Sequence, residues 1–496
     1  MSGEGRGALL AILLAASPAA ALAESLTDAI LLAYQTNPTL RAQRAQLRAI
    51  DEGLVQARAG YGPQVGITGQ AGYDVARIEQ PGSPFSPAAD KTYRAQTESA
   101  DLSIVQPLYS GGATRAQIQA ASADVLAGRA NLRRAESDLI VRVITAYLDL
   151  RRDRETIRVL KDEIANLTAE FDETKAKGEG GQLTRTDVAE TLGRMLSAQA
   201  ELNLAEGRLN VSNAQYLAVV GQSPGALDPE PELAGLPRTV EEAFDAAERN
   251  NPQLMAAIAT ERSARQRIAQ AKAAFGPTLS VRVDATVTPA AAYLEKQYAR
   301  SLTGAVTFSQ PLFTSGLTNS RVREAADRDS QAQLEIEATR RGVIQQVAQA
   351  WSQLVSTRGA LAIEVRQVEA ERASVEGNRI EERAGLRSTI ELLNAELELT
   401  TSRVTLVQGR HDEYLARASV LAAMGLLEAR FLVPGVEAYD PRSDLDRAKR
   451  IDAPPWEAVV GAVDSLGAAA PGRPMAKQEG GSRPSDLPPL PQSQKP

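Results

Sequence analysis

The chain is written twice. Asn37-Pro38 returns as Asn251-Pro252 and Gly62-Pro63 as Gly276-Pro277, both at an offset of 214. Beyond them the offset is 204: Gln106-Pro107 matches Gln310-Pro311, "AYLDL" at 146–150 matches "AWSQL" at 350–354, and Gly181 and Gly221 match Gly385 and Gly425. One change of 10 residues between positions 64 and 105 reconciles the two registers. A duplication of this length confines the fold to two copies of one supersecondary plan, so each half is read against the other.

Each half begins with a helical segment (about 25–60 and 239–273) ending at Gly62-Pro63 or Gly276-Pro277. Period 2 follows. In "TLSVRVDATV", Leu279, Val281, Val283, Ala285 and Val287 fall on one face and Ser280, Arg282, Asp284 and Thr286 on the other. "SLTGAVTFSQPLF" repeats the alternation, and Val65, Ile67, Ala71, Tyr73, Val75, Leu102 and Ile104 follow it more weakly in the first half. Alternation over about ten residues marks a strand with one apolar face, of the length a membrane β-strand needs. Each half thus supplies two strands joined by a polar loop, about 76–98 and 288–300.

After "VQPLYSGG" (105–112) and "SQPLFTSG" (309–316) the period changes. Proline is absent from 108 to 223 and from 312 to 433, although the chain holds 26. Leu139, Val143, Ala146, Leu150, Ile157, Leu160, Ile164, Leu167 and Phe171 form a heptad seam with one position skipped at Asp153, and Val343, Val347, Ala350, Leu354 and Leu361 begin it again. A helix from about 113 to 178 would span roughly 100 Å. Gly178, Gly180 and Gly181, then Ala384-Gly385, mark reversals, so each half ends in a long helical hairpin. Pro107 and Gly112, with Pro311 and Gly316, are the joints between strand and helix.

The bulk properties narrow the setting. Arg6, the apolar run Ala8–Ala16 and Ala21-Leu22-Ala23 read as a signal peptide over 1–23, with the mature chain starting near Glu24. No later stretch approaches roughly 18 uncharged apolar residues, so no membrane helix is expected. With no cysteine there is no disulfide, thiolate metal site or lipid-anchoring thiol. A net charge of −7 without a basic block argues against a nucleic-acid partner. Four strands cannot close a barrel alone and open edges are not tolerated in lipid, so the chain must oligomerise; two copies give eight strands, three give twelve, and counting does not choose. Ten of the 20 aromatic residues lie in 61–109 and 275–313, as interfacial girdles facing outer-membrane lipids would require, or as the preference of strands for aromatics would give.

The duplicated N-P-x-L, A-x-x-x-x-G-P and Q-P-L-[FY]-x-x-G, each followed by a helical hairpin, resemble the TolC family of outer-membrane efflux and secretion channels over about residues 25–430. "AQRAQLRAIDEGLVQARAGYGPQV" resembles most the members serving type I secretion. The resemblance implies an α+β, mostly α protomer and a homotrimer sharing a twelve-stranded barrel in the outer membrane, continued by a helical barrel across the periplasm. It also implies a periplasmic adaptor and an inner-membrane ABC exporter, or a proton-driven pump if the cargo is a drug or metal. The organisation expected is a first repeat at 24–238, a second at 239–433, an extension at 434–464 near the equatorial region, and a Pro-rich disordered tail at 465–496. A periplasmic coiled-coil adaptor is the alternative from another class, and the strand pairs argue against it.

No catalytic constellation, cofactor motif or metal-ligand spacing is present, and no enzyme is expected. His411, the one histidine, lies in a charged helical stretch and is read as a solvated surface residue. "GEGGQL" lacks the ending of a phosphate loop and is read as a turn. The candidate working residues come from the family's periplasmic entrance. "GLRSTIELLNAE" (385–396) places Glu391 and Asn394 where two acids ring the pore. Thr186 and Asp187 fall on one tip and Arg387 on the other, with Asp187–Arg387 as the expected pair. The family's linking tyrosine is replaced by Glu382, which would repel Asp187 and turn to Arg383 or Arg387. Without the resemblance these are ordinary solvated helix charges.

Overall fold

The computed structural model describes residues 24–472, except 83, 86, 88, 291–296, 434 and 452–455. The expected signal peptide (1–23) and residues 473–496 of the expected tail lie outside the described residues.

Each half opens with two helices, not one: α1 (Leu26–Thr36) and α2 (Pro38–Ala59), then α5 (Val240–Asn250) and α6 (Pro252–Ala273). The Asn-Pro pair makes the break. Proline pushes the residue before it into extended backbone, and Asn37 and Asn251 sit there with ψ 124° and 120°. The Asn37 carboxamide oxygen accepts from Thr39 and Leu40 N–H at 3.0 and 3.3 Å, while its NH2 donates to the Val219 carbonyl at 3.1 Å. Asn251 repeats this with Gln253, Leu254 and Ala423. The repeated motif is a cap tied to the far helix of its hairpin.

The strands β1 (Gln64–Gln80), β2 (Ala89–Tyr109), β3 (Thr278–Pro289) and β4 (Tyr298–Ser309) form one antiparallel sheet in chain order, with β1 and β4 as its edges. The register pairs Val65 with Ile104, Ile104 with Val283, and Val281 with Val306. One row after another therefore places its apolar residues on the same face. The opposite face carries rows such as Thr68, Asp101, Thr286 and Ser301, with Thr286 donating to Asp101 at 2.7 Å. A 12-residue strand reaches about 40 Å, enough to cross a hydrocarbon core when tilted. The loop expected at 76–98 is mostly strand. Alternation fails there because the outer part of the β1–β2 hairpin is polar on both faces, yet its backbone ladder continues through Ala76–Tyr93 to Gln80–Ala89.

The long helices are as the seam predicts: α3 (Ala113–Glu179), α4 (Arg185–Val220), α7 (Leu317–Arg383) and α8 (Thr389–Ala423). Gly181 (φ 75°) and Gly385 (φ 74°) turn the hairpins in the left-handed conformation glycine tolerates. The core is thickest where Leu139, Val143, Ala146 and Leu150 meet α1, and where Val343, Val347 and Leu354 meet α5. Its two largest anchors, Tyr147 and Trp351, occupy equivalent positions and are both fully buried. The seam's skipped position is explained: Asp153 is buried and accepts from the Ser212 hydroxyl of α4.

His411 corrects its reading. It is buried on α8, with Nε2 2.9 Å from Asp149 of α3 and Nδ1 2.8 Å from Asp412. Burial alone would lower its pKa; the two carboxylates more than offset that and hold it above the usual imidazole value.

The C-terminal segment runs over α9 (Ala429–Leu432), α10 (Pro441–Ile451) and α11 (Glu457–Asp464). α10 lies along α2, and α11 reaches the joint between β2 and α3. Residues 465–472, expected to be disordered, are in place: the Tyr109 hydroxyl donates to the Leu466 carbonyl at 2.9 Å.

Candidate functional site: the hairpin tips and the joints

The joints are built from glutamine and glycine in fixed roles, with the prolines placed differently in the two. Gln106 Nε2 donates to the Tyr61 carbonyl at 2.9 Å, and Gln310 Nε2 to the Phe275 carbonyl at 2.8 Å. Both carbonyls precede the strand-start turns Gly62-Pro63 and Gly276-Pro277, so each motif clamps the end of one strand to the beginning of its neighbour. Pro107 lies inside β2 at a register shift, whereas Pro311 lies beyond β4. Gly112 (φ 83°) and Gly316 (φ 81°) are the N-caps of α3 and α7 and offer no side chain for capping. Asp464 of α11 caps α3 instead, accepting from Ser110 N–H (2.6 Å), its hydroxyl (2.8 Å) and Gly112 N–H (3.2 Å).

At the opposite end the two hairpin tips lie side by side. Thr184 caps α4, and Asp187 closes the capping box by accepting from Thr184 N–H and hydroxyl at 2.9 and 2.8 Å. Those bonds hold its carboxyl below the usual carboxylate range. Thr186 lies exposed beside it on the first turn of α4. Glu391 does the same on α8, accepting from Ser388 N–H and hydroxyl at 2.9 and 3.0 Å, which likewise lowers its carboxyl. Arg387 donates to Glu381 at 2.8 Å and Glu391 at 3.3 Å.

The expected Asp187–Arg387 pair is therefore not made within the chain. A capping box closes over three residues and fixes short side chains, so each carboxylate is claimed locally before a partner on another hairpin can compete. Glu382 is also rewired: it meets neither Arg383 nor Arg387 but Lys177 at the end of α3, 3.3 Å away, and Lys177 is shared with Glu173 at 2.9 Å. Asn394 accepts from Arg194 of α4 at 2.7 Å. Thus Lys177–Glu382 and Arg194–Asn394 tie the first hairpin to the second. Deeper in, Thr400 donates to the buried Glu163 at 2.7 Å, and burial pushes that carboxyl up. Lys177 and Arg194 were not among the sequence candidates. Their signal is that each stands within three turns of a tip, but only the packing of α3 and α4 against α8 reveals it.

Glu391 and Asn394 are exposed on α8, while Leu392 and Leu393 on its other side are buried, Leu393 against Leu167 and Ala198 of the first hairpin. The tip is a small apolar contact rimmed by single polar links. Single polar links of this kind, where solvent reaches them, are worth about 1 kcal/mol or less each. Among the described residues no group of His, Cys, Asp and Glu has metal-site geometry, and no helix is long and apolar enough to cross a membrane.

Residues 29–222 and 243–426 match the family described as "Outer membrane efflux protein". Outer membrane efflux protein BepC of Brucella suis biovar 1 (strain 1330) is 29% identical over 430 residues, 87% of this chain and 91% of that one. Alkaline protease secretion protein AprF of Pseudomonas aeruginosa is 24% identical over 416 residues, 82% of this chain and 86% of its own. The solved CmeC outer membrane channel of Campylobacter jejuni superposes with a TM-score of 0.71 at 13% identity, covering 86% of this chain and 89% of that one.

Proposed function

The chain belongs to the outer membrane efflux protein family, the TolC-like channels, and we propose that it is the exit duct of a type I protein-secretion system. It is an outer-membrane channel component that extends into the periplasm, and not an enzyme. The observation that carries the duct reading is the sheet: four strands share one apolar face, and their polar face leads through the two joints into helices about 100 Å long. Three copies close a twelve-stranded barrel, a periplasmic adaptor grips the helical end, and an inner-membrane ABC exporter supplies the energy. A relative named for alkaline protease secretion supports the protein cargo. BepC, named an efflux protein, supports a second reading with a proton-driven pump and a small-molecule cargo. Deleting the gene separates them. Loss of a secreted protein from the medium with unchanged drug susceptibility is the result expected for type I secretion, and the reverse assigns the duct to efflux.

The entrance is held by links between hairpins, Lys177–Glu382 foremost. E382K breaks that link and places two cations together, so the resting conductance of single channels in planar bilayers is expected to rise severalfold. The swap K177E/E382K restores the opposite charges and the low conductance. An E382K channel with wild-type conductance would rule out this lock.

A further inference from the structure

Charge disappears from the C-terminal segment where it reaches the joint. α10 carries Arg442, Asp444, Asp446, Arg447, Lys449 and Arg450 in 11 residues, the composition of a helix facing water. From Trp456 to Gly472 the chain holds two charged residues, Glu457 and Asp464. Both point at the protein: Glu457 pairs with Arg58 at 2.6 Å, and Asp464 is the buried cap of α3. Buried Val460 and Gly461, which faces the Tyr61 ring, complete this inner side of α11. The outer side is apolar. Trp456, Val459, Val463 and, just past the helix, Leu466 are exposed at 39, 67, 39 and 69%. Steps of 3, 4 and 3 residues set them in one stripe, with no charge inside it.

Tyr109 fixes where that stripe lies. Leu279 alternates with Val281 and Val283, so it belongs to the apolar face of the sheet. The register pairs Leu279 with Tyr109 on one side and with Phe308 on the other. Tyr109 is therefore on the lipid-facing side, at the helical end of the strands. Its hydroxyl donates to the Leu466 carbonyl at 2.9 Å, which draws the end of the stripe to that same side. Asp464 fixes the height, because its partners Ser110 and Gly112 are the residues between β2 and α3. β2 is an inner strand, so the stripe is not taken up by pairing at a free sheet edge. It continues the lipid-facing surface of the sheet beyond the last strand residues. Tryptophan at such a boundary is the side chain that membrane–water interfaces favour.

We propose that α11 is an interfacial helix seated in the periplasmic leaflet of the outer membrane. Trp456, Val459, Val463 and Leu466 lie among the phospholipid acyl chains just beneath the headgroups, and Glu457 and Asp464 stay on the protein side. The bilayer surface thereby holds the helix that caps the first joint. The inference rests on the outer-membrane reading above, in which the apolar face of the sheet meets lipid.

The chain has two tryptophans, and the other reports nothing from the membrane: Trp351 is fully buried, about 50 Å along α7 from its start. In full-length protein reconstituted into phosphatidylcholine vesicles, lipid brominated on its acyl chains is expected to quench the Trp456 share of the emission severalfold. W456F loses that quenching. Bromine near the headgroup quenches more than bromine near the chain ends, and V459D/V463D, altered only on the exposed stripe, loses most of the effect. Vesicle-inserted protein that conducts in planar bilayers, yet whose Trp456 is not quenched, overturns the proposal and gives the stripe to a protein cover. Quenching strongest from the chain ends overturns the interfacial placement. Quenching that V459D/V463D leaves intact shows that Trp456 touches lipid without the helix being seated, and overturns it too. Protein that neither inserts nor conducts removes the outer-membrane reading and this inference together.

Discussion

Asp464→Ala is expected to destabilise the protein by about 2–4 kcal/mol per chain, the largest loss from any single carboxylate at the joints. The 67-residue α3 has Gly112 at its N-cap, which offers no side-chain acceptor, so its first N–H groups would be left unpaired. Asp464, 1% exposed, brings a negative charge to that helix end and accepts from Ser110, Gly112 and Arg115 N–H, the last at 3.4 Å. The same carboxylate, with burial as the larger cause, pushes the nearby Tyr61 hydroxyl up to about 12. α11 is held in turn by the Arg58–Glu457 pair at 2.6 Å. The measurement is thermal unfolding in detergent with hydrogen exchange at Gly112 and Arg115. Asp464→Asn, which still caps but without charge, should lose less than half as much. Unchanged melting and unchanged exchange in Asp464→Ala would show that the C-terminal segment merely rests on the joint.

Glu136→Gln is expected to reduce the protein's loss of stability between pH 5 and pH 8 by roughly 2–3 kcal/mol per chain. Glu136 lies among α1, α2 and α3, accepting from the Tyr34 hydroxyl at 3.3 Å. Arg44 of α2 lies over the Tyr34 and Tyr439 rings at 4.5 and 5.1 Å, and Arg133 beside it is taken by Glu428 at 2.6 Å. Burial is the main cause that raises the Glu136 carboxyl to about 7, with Arg44 the main opposing charge. A raised carboxylate favours the folded state while protonated. Its contribution is complete below the ordinary value near 4.5 and is lost as pH rises to about 7, roughly 2–3 kcal/mol per chain. Glu136→Gln keeps the shape without the proton, so it should match wild type near pH 5 and exceed it at pH 8. His411 and the buried Glu163 carboxyl, both also raised, lose their contributions in the same direction, so part of the slope remains. A variant whose melting curve runs parallel to wild type across this range would remove Glu136 as the titrating group.

Much of the fold was legible because it is encoded locally. Period 2 at 279–287, the heptads from Leu139 and the glycines at 181 and 385 each depend on neighbours a few residues away, and each lies where expected. The errors came where the local signal and the backbone part company. The outer β1–β2 hairpin has no apolar face to alternate, yet its ladder forms. The helical segment 25–60 keeps its apolar period through Asn37-Pro38, yet the backbone breaks there. The joints were legible in kind, but the task of Gln106 and Gln310 was not, since their acceptors lie across the turn from another strand.

The entrance was the least legible. Long charged side chains choose partners by which helix stands next to them, and sequence does not say which helix that is. Thus Glu382 met Lys177 across 205 positions, Asp187 and Glu391 stayed with their own turns, and His411 was drawn inward by Asp149. By itself the sequence determined the duplication, the order of strand and helix, and the membrane length of the strands, because each follows from periodicity along the chain. Only the tertiary structure decided which charges meet, that the C-terminus caps the first joint, and which helix faces remain uncovered. Those depend on distances between segments that the backbone brings together only after it has folded.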